Sequence, residues 1–116
     1  MVLCTQENYI YTAMYENIIN LLDELELQLK AHQLWQHEPI DAVLLRSQQP
    51  FCIDTLQFEQ WLQFVFIVKM HELIKSQQSL PTSIALTPMA EVTWKDRYQD
   101  VQRVVYSIDK LLAEDS

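Results

Sequence analysis

The chain contains no glycine in 116 residues. Hairpin turns, sheet bulges and barrel corners place backbone at positive φ, where only glycine sits without a steric penalty, so a glycine-free chain is poorly suited to an all-β fold. The same absence excludes the glycine-rich phosphate cradles of P-loop and dinucleotide-binding proteins. What remains open is a helical fold. An apolar fraction of 49% supplies enough side chains for one core, and the length corresponds to a single domain covering 1–116.

Helical periodicity is explicit in two segments. Tyr11, Tyr15, Ile18, Leu22, Leu25, Leu29 and His32 alternate at spacings of four and three, predicting a helix from about Glu7 to Gln33. Glu16, Asn20, Asp23, Glu24, Lys30 and Gln33 fall on its solvated side. Near the other end, Trp94, Tyr98, Val101, Val105, Ile108 and Leu112 repeat the pattern. A third helix between them is apolar on most faces, through Phe58, Trp61, Leu62, Phe64, Val65, Phe66, Met70, Leu73 and Ile74, which predicts a central position. Asp54 is its expected N-cap, with Gln57 completing a capping box.

Prolines mark the connectors. Pro39 follows the first helix, a weak helical turn is expected over Ile40 to Arg46, and Ser47 to Phe51 reads as a loop. Ser76 to Ser83, with Pro81, is a second loop, and Thr87-Pro88 reads as cap and first residue of a short helix. The predicted architecture is an all-α, small antiparallel bundle of three main helices plus one or two short ones, with loose ends at about 1–6 and 113–116. Tyr and His in the seams, together with short loops, favour a monomer over a coiled-coil homodimer.

The charge is −8, from 16 acids and 8 bases, and no two bases are adjacent. Nucleic-acid binding draws on clustered Lys and Arg, so direct contact with RNA or DNA is not expected; an acidic surface suits a basic protein partner. Met1-Val2-Leu3-Cys4 lacks the basic start of a secretory signal, and the longest apolar run, Phe64 to Val68, is too short for a bilayer. With Cys4 and Cys52 read as reduced thiols, the expected compartment is the cytoplasm.

No catalytic constellation emerges. Cys52, between Phe51 and Ile53, reads as a small buried hydrophobe. No glutamate precedes a histidine at i+3, and His32, His37 and His71 lack metal-ligand spacing, so no metal or other cofactor is expected. Asp23, Glu24 and Glu26, and Glu114-Asp115, read as solvated charge. Of the tryptophans, Trp61 and Trp94 read as core, whereas Trp35 either caps the bundle end or projects as a partner anchor.

Trp35, Pro50-Phe51, Asp54-Thr55, Trp61-Leu62-Gln63, Phe66-Ile67, Lys69-Met70, Leu80-Pro81 and Pro88-Met89-Ala90-Glu91 together resemble the bacterial YqcC-like family, over about Leu21 to Leu112. One departure is visible: Val68 stands where the family pattern has proline, predicting a straighter helix there. The resemblance implies a small helical bundle linked to tRNA pseudouridine synthase C, whose name the family sometimes borrows. Pseudouridine synthases resemble one another in a larger mixed α/β fold with a catalytic aspartate in an Arg-Leu-Asp context. No Arg-Leu-Asp occurs in this chain. The expected role is therefore a non-enzymatic accessory or protein-interaction domain, with that synthase as partner. Two alternatives stand beside it: a chain carrying the synthase activity itself, or a small-ligand binder using a gap near Phe51 and Trp61. The candidate binding patch is Trp35, Phe51, Asp54, Met70, Met89 and Glu91, drawn from connectors and helix ends that the family motif picks out. The competing reading is that Phe51, Asp54 and Met89 merely cap helices and close the bundle.

Overall fold

A computed structural model of the chain describes residues 6–114, with side chains from residue 13 onward. It is all-helical, and no strand occurs among the described residues. Helix α1 spans Gln6–Ala31. A long connector holds two short 3-10 turns, Ala42–Arg46 and Pro50–Cys52. Helix α2 (Phe58–Trp61), a π-helical segment (Leu62–Phe66) and α3 (Ile67–Lys75) then form one continuous rod, because every junction residue keeps right-handed helical angles. After a loop come α4 (Leu86–Trp94) and α5 (Gln99–Glu114).

Neighbouring helices run antiparallel. His32, just past the end of α1, meets Asp100 at the start of α5, while Leu21 and Ser107 line one groove further along both. The rod opposes α1 in the same sense. Tyr15 donates to the carbonyl of Gln78 at one end (2.9 Å), and Gln36 meets Gln63 at the other. Within α4 and α5, the first residues of α4 bond to Asp109, late in α5.

The predicted stripes form the core. Ile18, Leu22, Leu25 and Leu29 of α1 are at most 1% exposed, and Val101, Val105, Ile108 and Leu112 of α5 are withdrawn to the same degree. Leu62, Met70, Leu86 and Trp94 complete the deepest layer. Cys52 is a buried free thiol, as its apolar flanks predict. Cys4, the side chain of Tyr11 and the loose ends expected at 1–5 and 115–116 lie outside the described residues. At the other margin of those ends, Gln6 and residues 113–114 are helical.

Three boundaries differ from expectation. Asp54 does not cap α2; the N-cap is Gln57, whose backbone N–H donates to Gln60 Oε1 at 2.8 Å. The capping box exists, displaced by one turn. Asp54 instead accepts a hydrogen bond from Ser47 Oγ within the connector. Second, α4 begins at Leu86, one residue before the expected Thr87 cap. Its N-cap residue, Ala85, offers no side-chain acceptor. Asp109 supplies one from α5, accepting from the N–H groups of Leu86 (3.1 Å) and Thr87 (2.6 Å). Third, the stripe from Trp94 to Leu112 is not one helix. Lys95 (φ 57°, ψ −113°) takes the conformation of the first central residue of a type II′ turn, closed by the Arg97 N–H on the Trp94 carbonyl at 2.9 Å. Gln102 Nε2 then ties the carbonyls of Lys95 (2.9 Å) and Arg97 (2.7 Å).

Without glycine, these terminations fall on residues that resist them. Helix α1 ends in a Schellman motif, Leu34 N–H to Leu29 O and Gln33 N–H to Lys30 O, with Gln33 at φ 62°. Helix α3 ends identically, Gln78 to Leu73 and Gln77 to Ile74, with Gln77 at φ 57°. A left-handed backbone costs an L-residue about 1–2 kcal/mol, part of which glycine returns to the unfolded chain as entropy. Gln33→Gly, Gln77→Gly and Lys95→Gly should therefore each raise stability by about 1 kcal/mol and the melting temperature by about 4 °C. Urea denaturation followed by far-ultraviolet circular dichroism measures this; a loss at all three positions would show that these backbones are not under strain.

Candidate functional site

At one end of the bundle α1 stops, α2 starts, α4 stops and α5 starts, and their aromatic residues meet there. Phe51, brought in by the connector, packs edge-on against Trp61 (centroids 4.9 Å) and Phe58 (5.8 Å). Phe58 touches Trp94 at 5.3 Å, Trp94 touches Tyr98 at 5.8 Å, and Tyr98 meets His32 at 5.6 Å. Such edge and tilted contacts add about 0.5–1.5 kcal/mol per pair beyond burial. The rings pack against one another across this end, Phe51 and Trp61 among them. His32 Nε2 lies 3.5 Å from Asp100, which also pairs with Arg103 at 3.2 Å.

Beside the rings lies an amide network that sequence reasoning did not single out. Gln63 is the one buried polar side chain among the described residues. Its Oε1 accepts from the backbone N–H of Gln36 (2.9 Å), and its Nε2 donates to the backbone carbonyl of the same residue (2.7 Å). One side chain thus satisfies both polar groups of an isolated stretch of backbone, as a neighbouring strand would. Gln60 Nε2 adds a bond to Gln36 Oε1 at 3.0 Å, and Gln36 Nε2 donates to the Glu38 carbonyl at 2.8 Å. The amides fasten the connector to the rod just after α1. Gln63 stands in the family motif Trp61-Leu62-Gln63, but neither that motif nor its apolar flanks identify a distant backbone partner.

Of the six predicted patch residues, Met70 is buried and the other five are half-buried or exposed. Phe51 is half-buried in the aromatic cluster. Trp35 is half-buried, with Lys30 Nζ 5.2 Å from its ring centroid. Asp54 is exposed on the connector. Met70 is 1% exposed and belongs to the core, where it presents nothing to a partner. The rod's apolar inner face, not its exterior, takes that position. Met89 packs partly against the core from α4, and Glu91 is exposed beside Lys95 and Tyr106 in a shallow groove between α4 and α5. No group of three His, Cys, Asp or Glu side chains that could hold a metal ion occurs among the described residues. No helix among them is long and apolar enough to cross a membrane.

With the geometry in place, similarity to known proteins decides the family. A family model described as tRNA pseudouridine synthase C matches residues 17–113. The chain belongs to that family, the YqcC-like proteins. Protein YqcC of Escherichia coli is 32% identical over 90 residues, covering 78% of this chain and 83% of its own length. An uncharacterized protein of Haemophilus influenzae is 37% identical over 84 residues, covering 72% and 78%. The solution NMR structure of E. coli YqcC superimposes with a TM-score of 0.78 at 31% identity, covering 89% of this chain and 91% of that one. A Pectobacterium carotovorum protein named tRNA pseudouridine synthase C is 34% identical over 82 residues; these are 71% of this chain but 22% of that longer protein. Within the YqcC-like frame, the π segment places the irregularity of the rod at 62–66, upstream of Val68, which sits in regular α-helix as its non-proline identity predicts.

Two substitutions in the rod separate the amide network from the core. Gln63→Met keeps the side-chain volume and strands both backbone groups of Gln36, and should cost about 2 kcal/mol in chemical denaturation. Met70→Ala should cost about 2–5 kcal/mol through the cavity it leaves. A Met70→Ala loss below about 1 kcal/mol would contradict its placement in the core.

Proposed function

We propose that this protein is an accessory partner of tRNA pseudouridine synthase C, acting through protein contact, and is not itself the pseudouridylating enzyme. The observation that carries this reading is the asymmetric match to the Pectobacterium protein. Most of this chain corresponds to about a fifth of a longer polypeptide bearing the synthase name. A segment similar to this chain and whatever earns that name share one polypeptide there, with most of that protein left outside the match. Covalent linkage holds two modules at high effective concentration, which is useful where separate chains would otherwise have to associate.

Charge supports the same division of labour. A tRNA-gripping surface must meet phosphates with Lys and Arg, whereas this chain carries 16 acids against 8 bases. An acidic module is suited to a basic enzyme and to little direct contact with its RNA. Its cytoplasmic setting follows from that partner, since tRNA is modified where it is used.

Titrating the purified chain into the separately purified synthase of the same cell should give a complex at micromolar concentrations, seen by calorimetry and by co-elution in size-exclusion chromatography. Absence of any complex at those concentrations removes the named partner. In parallel, the chain alone with unmodified tRNA should yield no pseudouridine; stoichiometric product free of contaminating synthase would overturn the accessory reading.

A further inference from the structure

We infer that the connector between α1 and α2 is the docking surface, and that it receives a basic face that also carries apolar side chains on tRNA pseudouridine synthase C; this rests on the accessory reading above. Residues 32–57 form a connector far longer than the about 12–15 residues at which structureless loops become uncommon in compact domains. It is not loosely draped. Gln63 holds its start at Gln36, and Phe51 anchors its end among the aromatic rings. Between these anchors its two arms are fastened to each other. Thr55 Oγ1 donates to the Leu44 carbonyl at 2.7 Å, Ser47 Oγ donates to Asp54, and the Gln49 N–H returns to Ser47 Oγ at 3.0 Å.

This order is spent on holding apolar side chains in water. The turn Ala42–Arg46 has no buried residue although its sequence is Ala-Val-Leu-Leu-Arg. Val43, Leu45 and Ile53 are 52%, 42% and 58% exposed, and they make up three of the seven large exposed hydrophobics among the described residues. The other four, Leu27, Val68, Val92 and Tyr106, are dispersed over four different helices. Dispersed single side chains are ordinary; a concentration on a pinned loop is the pattern of an interaction site. The backbone agrees, since Phe51 and Cys52 are consecutive left-handed residues (φ 58° and 50°), the kind of strain that persists where a loop must hold one shape.

Charge names the occupant. Glu38, Asp41 and Asp54 are exposed along the connector, Glu59 follows on α2, and Arg46 is the single Lys or Arg in 32–59. None of these four carboxylates appears in an ion pair among the described residues. Exposed apolar side chains on a connector that also carries carboxylates outside any ion pair select a partner face of the inverse kind, combining apolar side chains with Lys or Arg. A tRNA-binding enzyme has such basic surface in excess. A preformed loop loses little entropy on docking, so affinity does not have to repay its ordering.

The test uses the full chain and the synthase in the titration above. Val43→Ser with Ile53→Ser should weaken the complex at least tenfold, and Glu38→Gln with Asp41→Asn should slow association several-fold and flatten its salt dependence. Val92→Ser, a change at a still more exposed apolar residue on α4, should leave binding within twofold. Melting temperatures of all variants are compared, and a direct footprint covers the case of a variant that does not fold. Amides 41–55 of the wild-type chain should gain hydrogen-exchange protection when synthase is added. Wild-type binding with an unprotected connector, or with Val92→Ser as the damaging change, overturns the docking surface and leaves the accessory reading standing. No wild-type binding at all overturns both.

Discussion

Ile18, Leu22, Leu25 and Leu29 are taken almost wholly out of water, and the rest of the molecule is arranged to keep them there. One turn of helix separates each from the next, so together they form a ridge along α1. Helix α5 covers it from one side with Val101, Val105, Ile108 and Leu112, and the rod 58–75 covers it from another with Leu62, Phe66 and Met70. Helix α4 closes the layer through Leu86, Ala90 and Trp94. No single pair explains the fold; one continuous cluster that draws side chains from α1, the rod, α4 and α5 does.

The two ends of this packed column are finished differently. At one end Asp109 reaches from α5 to the first N–H groups of α4, so a helix without its own cap borrows one from its antiparallel neighbour. At the other, polar and aromatic groups divide the work. Rings from the connector, α2, α4 and the turn after it fill the volume, while glutamine amides satisfy backbone that no helix can. The connector is thereby held against the bundle without being absorbed into the core, which leaves its outward side chains available for another molecule.

Much of this was legible from spacing alone. The four-three stripe of α1, the burial of Trp94 and Cys52, the breadth of the apolar face on the central rod and the turn within 40–46 all follow from side-chain type and periodicity. Four features did not. The break at Lys95–Tyr98 lies inside an unbroken stripe, because the turn that interrupts it returns Tyr98 to the seam, and neither glycine nor proline marks it. Asp54 and Gln57 fit a capping box as well as Gln57 and Gln60 do; the connector's own fold decides, since Asp54 is engaged by Ser47. Met70 sits in a motif with exposed Lys69, and only the rotation of the rod turns the one inward and the other out. Asp109 and Gln63 act on backbone far away in sequence, and local pattern cannot reveal such partners.

The π segment at Leu62–Phe66 has a further meaning for how the rod is phased. A wider turn holds an additional residue compared with an α-helix, and each residue advances the helix by about 100°. The half of the rod before this turn presents Phe58 and Trp61 toward the ring cluster; the half after it presents Ile67 and Met70 toward the ridge on α1. The wide turn is the phase shifter between these two azimuths. Straightening the same residues into a uniform α-helix would swing everything after the turn by about a quarter-turn, bringing the polar Lys69 toward the position where Met70 now packs. The extra residue is consequently absorbed within one turn, at no cost to the facing of either half.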